Sequence, residues 1–192
     1  AIGVVSSEDK RDFVMSMGAK AVLNRSDFNC WGQLPTVNGP EFNDYMKESR
    51  KFGKALWQIT GGKDVDMVFE HPGEATIPVS VFVVKRGGMV VICAGTSGFN
   101  LTMDARFLWM RQKRVQGSHF ANLAQASAAN QLVIERRIDP CLSEVFGWDG
   151  IPDAHEKMLD NKHLPGNMGV LVNAQRPGLR TVEEVLEISN GG

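Results

Sequence analysis

Strands and helices alternate along this chain, and the alternation predicts an α/β fold with a parallel sheet. Three observations carry the prediction. Residues 65–70, VDMVFE, and 89–93, MVVIC, are short, largely apolar runs, the pattern of strands covered on both faces by helices. Phe42, Tyr45, Met46, Ser49, Phe52, Leu56 and Ile59 recur at helical spacing and mark one stripe of a long amphipathic helix. Glycine pairs at 61–62 and 87–88 stand where one kind of element gives way to the other.

In chain order, residues 2–5 read as a strand, and Ser6, Ser7, Glu8 and Asp9 as a helix start with a capping serine and an acidic first turn. Phe13, Val14 and Met17 continue that helix to Gly18, and residues 21–24 form a second strand. Residues 25–40 are polar and broken by Gly32, Pro35, Gly39 and Pro40, an excursion without regular structure. The long helix closes at Gly61 and Gly62. After the strand at 65–70 come the turn His71-Pro72-Gly73, a helix over 74–85, and the strand at 89–93 released by Gly87 and Gly88. A small polar corner at 94–98 precedes a basic helical stretch, 106–114, and a strand at 115–119. A helix over 122–137, breaks at Pro140 and 148–152, a short helix with Ala154, Met158 and Leu159, a strand at 168–172 and a helix capped by Thr181 and Glu184 complete the reading.

With 22 acidic and 21 basic residues in 192, the chain carries no overall field toward nucleic acid or an anionic membrane, so any anion site must be local. Cys30, Cys93 and Cys141 are far apart and form no CxxC pair, which argues against a disulfide framework and a thiolate zinc site. Three thiols in a reducing cytoplasm is the reading that follows. His71, His155 and His163 lack ligand spacing with each other or with the cysteines, so no metal site is predicted. No apolar run spans a bilayer and no cleavable leader opens the chain.

Neither GxGxxG nor GxxxxGK[ST] occurs, so the usual phosphate loops are missing. The first strand ends in SSEDK, and in a dinucleotide fold that position meets the adenosine ribose, where small hydroxyls and a cation accept the 2'-phosphate of NADP. Ser6, Ser7 and Lys10 suit it; a plain helix cap with a solvated lysine is the simpler alternative. The basic run Arg106, Arg111, Lys113 and Arg114 is either a solvated face or a site for a phosphorylated small molecule, without the wider basic field that nucleic acid needs. His119 closes a strand beside that run and is either a structural or a working histidine. Glu70 and His71 are neighbours on a strand end, point to opposite faces and read as lining rather than as an acid/base pair.

Together, VVSSEDK, FGKALWQITGGKDVDMVFEHPGEAT, RGGMVVICAGTSG and above all RFLWMRQKRVQGSHFAN resemble the crotonyl-CoA carboxylase/reductase family of the medium-chain dehydrogenase/reductase superfamily, over residues 1–174. Each motif is weak alone; their order and spacing carry the resemblance. It implies a Rossmann-like doubly wound parallel sheet and an NADPH-dependent enzyme acting on α,β-unsaturated acyl-CoA thioesters. Hydride adds to the β-carbon, and CO2 captures the enolate at the α-carbon. By resemblance, His119 helps to hold CO2, Arg106 and Phe107 meet the CoA moiety, Ser6, Ser7, Lys10 and Arg25 read the adenosine phosphate, His71 belongs to the cofactor site, and Cys93 and Ala94 lie by the nicotinamide. Ala105 and Asn167 depart from the family pattern, which has asparagine and lysine there.

The resemblance also divides the chain. Residues 1–137 would be a partial dinucleotide-binding domain lacking its first strand and glycine-rich turn, 138–174 a segment returning toward a catalytic domain, and 175–192 a tail. In strand order 3-2-1-4-5-6 the lacking strand leaves two unpaired inner edges. The chain is therefore expected to belong with the remainder of an enzyme or a complementary chain, in a homo-oligomer, with acyl-CoA and CO2 as small-molecule partners. Two other readings stand beside this one: an NADPH-dependent enoyl-CoA or quinone reductase that protonates the enolate, and a non-catalytic assembly or regulatory module.

Overall fold

A computed structural model of the chain describes residues 1–172 and 174. The predicted helix capped by Thr181 and the tail from 175 lie outside the described residues. The chain divides into two compact units, Ala1–Phe120 and the stretch from Ala121 on.

In the first unit β1 (Ile2–Val5) pairs in parallel with β2 (Ala21–Asn24), joined by α1 (Arg11–Ser16). Its entry differs from the expected serine cap. Ser7 is extended and makes no cap bond; a 3-10 turn, Glu8–Lys10, leads into the helix instead. A second parallel sheet has the order β3 (Val65–Glu70), β4 (Val84–Ile92), β5 (Arg114–Gly117). Among the described residues β1 pairs only with β2, and β3 only with β4.

The core lies on the helices between these strands. α2 (Phe42–Thr60) ends at Gly61 in the left-handed region (φ 72°), as its glycine pair predicts. Its predicted stripe is buried from Phe42 to Leu56 and packs with Phe28, Cys30, Val79 and Val83. α3 (Ile77–Val83) is apolar except for Ser80 because it has apolar neighbours on two sides; its Ile77 and Val81 form a second cluster with Val84 and Val90 of β4. α3 is shorter than the predicted 74–85 helix. Residues 74–76 form a turn, with the amides of Glu74 and Ala75 bonded to Gly98 O and Ser97 Oγ, and at the other end Val84 already pairs with Val65. Residues 85–88 then bulge from β4, where Gly88 lies so close to Asp66 O that an added Cβ would sit 2.8 Å from it. β3 is not covered on both faces as expected, since Met67 and Phe69 are exposed.

Toward β5, α4 (Ala105–Trp109) turns the chain so that Phe107 and Leu108 reach the second cluster. The strand is shorter than the predicted 115–119: its ladder partner ends at Ile92, whose carbonyl accepts from Ser118 N, and nothing pairs beyond. In the second unit α5 (Leu123–Ile134) starts with a capping box between Asn122 and Gln125. β6 (Leu142–Phe146), which the sequence reading missed between its two breaks, pairs with β7 (Asn167–Val170), and α6 (Ile151–Leu159) lies between them in sequence.

Candidate functional site

The loops after β3 and β4 are locked to one another. Glu70 ends β3 almost fully buried; its carboxylate accepts from Gly73 N, Thr76 Oγ1 and Ser80 Oγ, while its carbonyl accepts from Cys93 N. Ser97 Oγ donates to Pro72 O at 2.7 Å and accepts from Ala75 N at 3.0 Å. His71 is left exposed beside this arrangement, and Cys93 and Ala94 are half-buried. Glu70 and His71 are thus divided between interior and surface, the opposite directions that alternation predicts, and Glu70 is interior rather than lining.

His119 lies past the end of β5, exposed, with its ring centroid 3.7 Å from that of Phe120. Phe120 has φ 51°, a left-handed backbone uncommon for a bulky residue, and is itself 90% exposed. Backbone strain of this kind concentrates at working corners.

At the ends of β1 and β2, Lys10 Nζ donates to Ser6 Oγ at 3.1 Å. Ser7 hydrogen-bonds the Asp9 side chain and so holds that carboxyl below its usual range. The nearby acid Glu8 is taken by Arg11, which lowers its pKa. Among the described residues Lys10 and Arg25 form no ion pair, so two cations and the Ser6 hydroxyl, engaged only by Lys10, are of the type that a 2'-phosphate of NADP requires.

The basic run divides in two. Arg106 donates through Nε and Nη2 to Asp104, a buried carboxylate that also caps α4 through Arg106 N. The hydrogen bonds lower the Asp104 pKa and raise that of Arg106. Arg111 and Lys113 instead line a cleft of about 450 Å³ at the amino-terminal ends of β3, β4 and β5, together with Arg50 and Lys54 of α2 and Arg86 of the bulge. Among the described residues, the side chains of Arg50, Lys54, Arg86 and Arg111 have no ion-pair or hydrogen-bond partner. Asp64, the acid in this lining, accepts from Trp57 Nε1. Phe82 and Phe107, edge to face at 5.4 Å, give the cleft an apolar wall. Lys113 donates to Val81 O and Phe82 O; burial pushes its pKa down to about 8, the charge of Arg111 adding to the effect and that of Asp64 opposing it.

The arrangement offers a cation-lined cleft at one end of the sheet and a tightly bonded pair of loops with an exposed histidine at the other. The sequence reading found Phe107 and the run after Arg106 but missed Arg50, Lys54 and Arg86. The available signal was the i, i+4 spacing of Arg50 and Lys54 on the face of α2 opposite its buried stripe. Among the described residues no group of three His, Cys, Asp or Glu could hold a metal ion, and no helix is long and apolar enough to cross a membrane.

A family model described as zinc-binding dehydrogenase matches residues 1–135. The chain is 72% identical over 188 residues to a crotonyl-CoA carboxylase/reductase of Cereibacter sphaeroides, covering 97% of this chain and 44% of that protein. A solved crotonyl-CoA carboxylase/reductase superposes with TM-score 0.88 at 71% identity, over 98% of this chain and 44% of the other. The 2-octenoyl-CoA carboxylase reductase CinF, solved with NADP and 2-octenoyl-CoA, superposes with TM-score 0.78 at 32% identity, over 99% and 41%. The chain thus spans less than half the length of these relatives.

Proposed function

We propose, on the premise that this chain belongs to the zinc-binding dehydrogenase family and is homologous to the crotonyl-CoA carboxylase/reductases, that it is the cofactor-domain part of an NADPH-dependent reductive carboxylase of enoyl-CoA thioesters. The observation that carries the reading is 72% identity along nearly the whole chain to a protein so named. The geometry supports it with two separate anion-accepting places, as a phosphorylated cofactor and a phosphorylated substrate require.

Ser6, Ser7, Lys10 and Arg25 bind the 2'-phosphate of NADPH, and His71, Cys93 and Ala94 line the nicotinamide end. When bound, NADPH supplies the hydride for the β-carbon of the enoyl thioester. His119 holds CO2 through water at the α-carbon, where excluding other proton donors decides between carboxylation and simple reduction. Phe107 and the cations of the cleft hold the CoA phosphates, while Arg106, outside that lining, is paired to Asp104 and lies over the Phe42 ring, and contributes its charge to the CoA moiety from there. Residues 1–137 serve as the partial dinucleotide domain and 138–174 return to a catalytic domain on the remainder of the enzyme. The exposed apolar side chains Met67, Phe69 and Trp109 favour burial against the remainder of the enzyme or in a homo-oligomer; the near-balanced charge of the chain gives nucleic acid no general attraction, and the cytoplasm is the proposed compartment.

A relative from Streptomyces avermitilis, 43% identical, bears the name crotonyl-CoA reductase, which keeps reduction without carboxylation as the second reading. Full-length enzyme given crotonyl-CoA, NADPH and labelled bicarbonate is expected to yield a labelled ethylmalonyl-CoA-type product. Unlabelled butyryl-CoA alone would establish the second reading.

A further inference from the structure

Among the described residues two carboxylates are buried, and they are handled differently. Asp104 is matched by Arg106, whereas Glu70, 2% exposed, faces no cation and is held by three hydrogen-bond donors. Those donors lie across the turn at 71–73: Gly73 N at 3.1 Å, Thr76 Oγ1 just before α3, and Ser80 Oγ one turn into it. The turn is fastened in its own right to the loop after β4. Pro72 O accepts from Ser97 N and Ser97 Oγ, Gly98 O accepts from Glu74 N, and Gly73 (φ 87°) lies where an added Cβ would be 2.9 Å from Gly98 O. An ionised carboxylate only accepts, so it can bind all three donors at once.

We propose that Glu70 is a positioning residue for the nicotinamide half of the cofactor. Without touching that cofactor, its carboxylate fixes the turn carrying His71 and, through Ser97, the loop that begins at Ala94. The inference rests on the reading that NADPH binds at these strand ends. Glutamine fits the same space, accepting from Gly73 N and Thr76 Oγ1 while the Ser80 hydroxyl rotates to accept from it. Alanine leaves three buried donors unpaired and frees the turn.

The test uses full-length enzyme and two ligands measured by calorimetry: NADPH, and adenosine 2',5'-bisphosphate, which carries the 2'-phosphate but no nicotinamide. E70A is expected to weaken NADPH about tenfold or more, the scale of one lost hydrogen bond, and to leave the bisphosphate within about twofold. E70Q is expected to stay within about threefold of the unchanged enzyme for both. S97A, which opens the same fastening from an exposed side chain, is expected to show the same selective loss at about three- to fivefold and serves if E70A does not fold. Equal weakening of both ligands, or NADPH binding untouched in S97A, overturns the positioning role. If the unchanged enzyme binds neither ligand, the cofactor reading falls first and this inference with it.

Discussion

At the amino-terminal ends of β3, β4 and β5, cations from α2, the β4 bulge and the approach to β5 surround an open cleft, and four of them have no partner among the described residues. At the carboxyl-terminal ends of the same strands, the two loops are fastened by hydrogen bonds through Glu70, Pro72, Ala75 and Ser97, and His119 stands exposed beyond them. The first end is organised by charge, and its shape tolerates movement because long side chains supply the contacts. The second is organised by backbone geometry. Sites that only hold a phosphate can be built the first way, whereas sites that must place reacting atoms are built the second.

The largest expected effect comes from reversing the cleft. R50E/K54E in full-length enzyme should raise KM for crotonyl-CoA about 100-fold, since two charge-assisted phosphate contacts are lost at about 1.4 kcal/mol or more each. Crotonyl-pantetheine, which lacks the adenosine phosphates, should be turned over as before. If both substrates suffer equally, the cleft does not read phosphate and the division between the two ends fails.

A smaller and more selective effect is expected at the other end. H119A should lower carboxylation about tenfold, the scale of one lost hydrogen bond to a held molecule, while reduction of the enoyl thioester falls far less. Product partition between carboxylated and reduced thioester measures this directly. Equal loss of both would make His119 a structural residue.

The difference between the two ends also explains what could be read from sequence. Strands β1 to β5 and the stripe of α2 were legible because apolar periodicity is local. The loop after β5 was legible only through the resemblance of the whole GSHFAN corner to a family, not through His119 itself. The cleft was not legible, because Arg50 and Lys54 read as the solvated face of a helix and meet Arg86 and Arg111 only once the sheet has formed. Glu70 shows the same limit at closer range. Alternation placed it on the face opposite His71, but its bonds to Thr76 and Ser80 depend on α3 starting at Ile77 rather than at residue 74. β6 was missed because its five residues lie between Cys141 and Gly147, too short a run for alternation to stand out.

The finest test of the comparison is electrostatic. Lys113 has a pKa of about 8 in the folded chain against an ordinary value of 10.5, so between those two pH values the unfolded chain holds a proton the folded chain has released. Stability therefore rises with pH through that window on account of this residue, and below about pH 8 the cost of burying its charge is carried in full. A phosphate entering the cleft favours the charged form and draws the pKa back up. Binding of CoA near pH 8.5 should then take up a fraction of a proton, seen as a dependence of the calorimetric heat on buffer ionisation enthalpy. K113M should abolish that uptake, while NADPH binding at the far end of the sheet should show none from this residue. Proton uptake that persists in K113M would assign it to another group and remove the electrostatic distinction between the two ends.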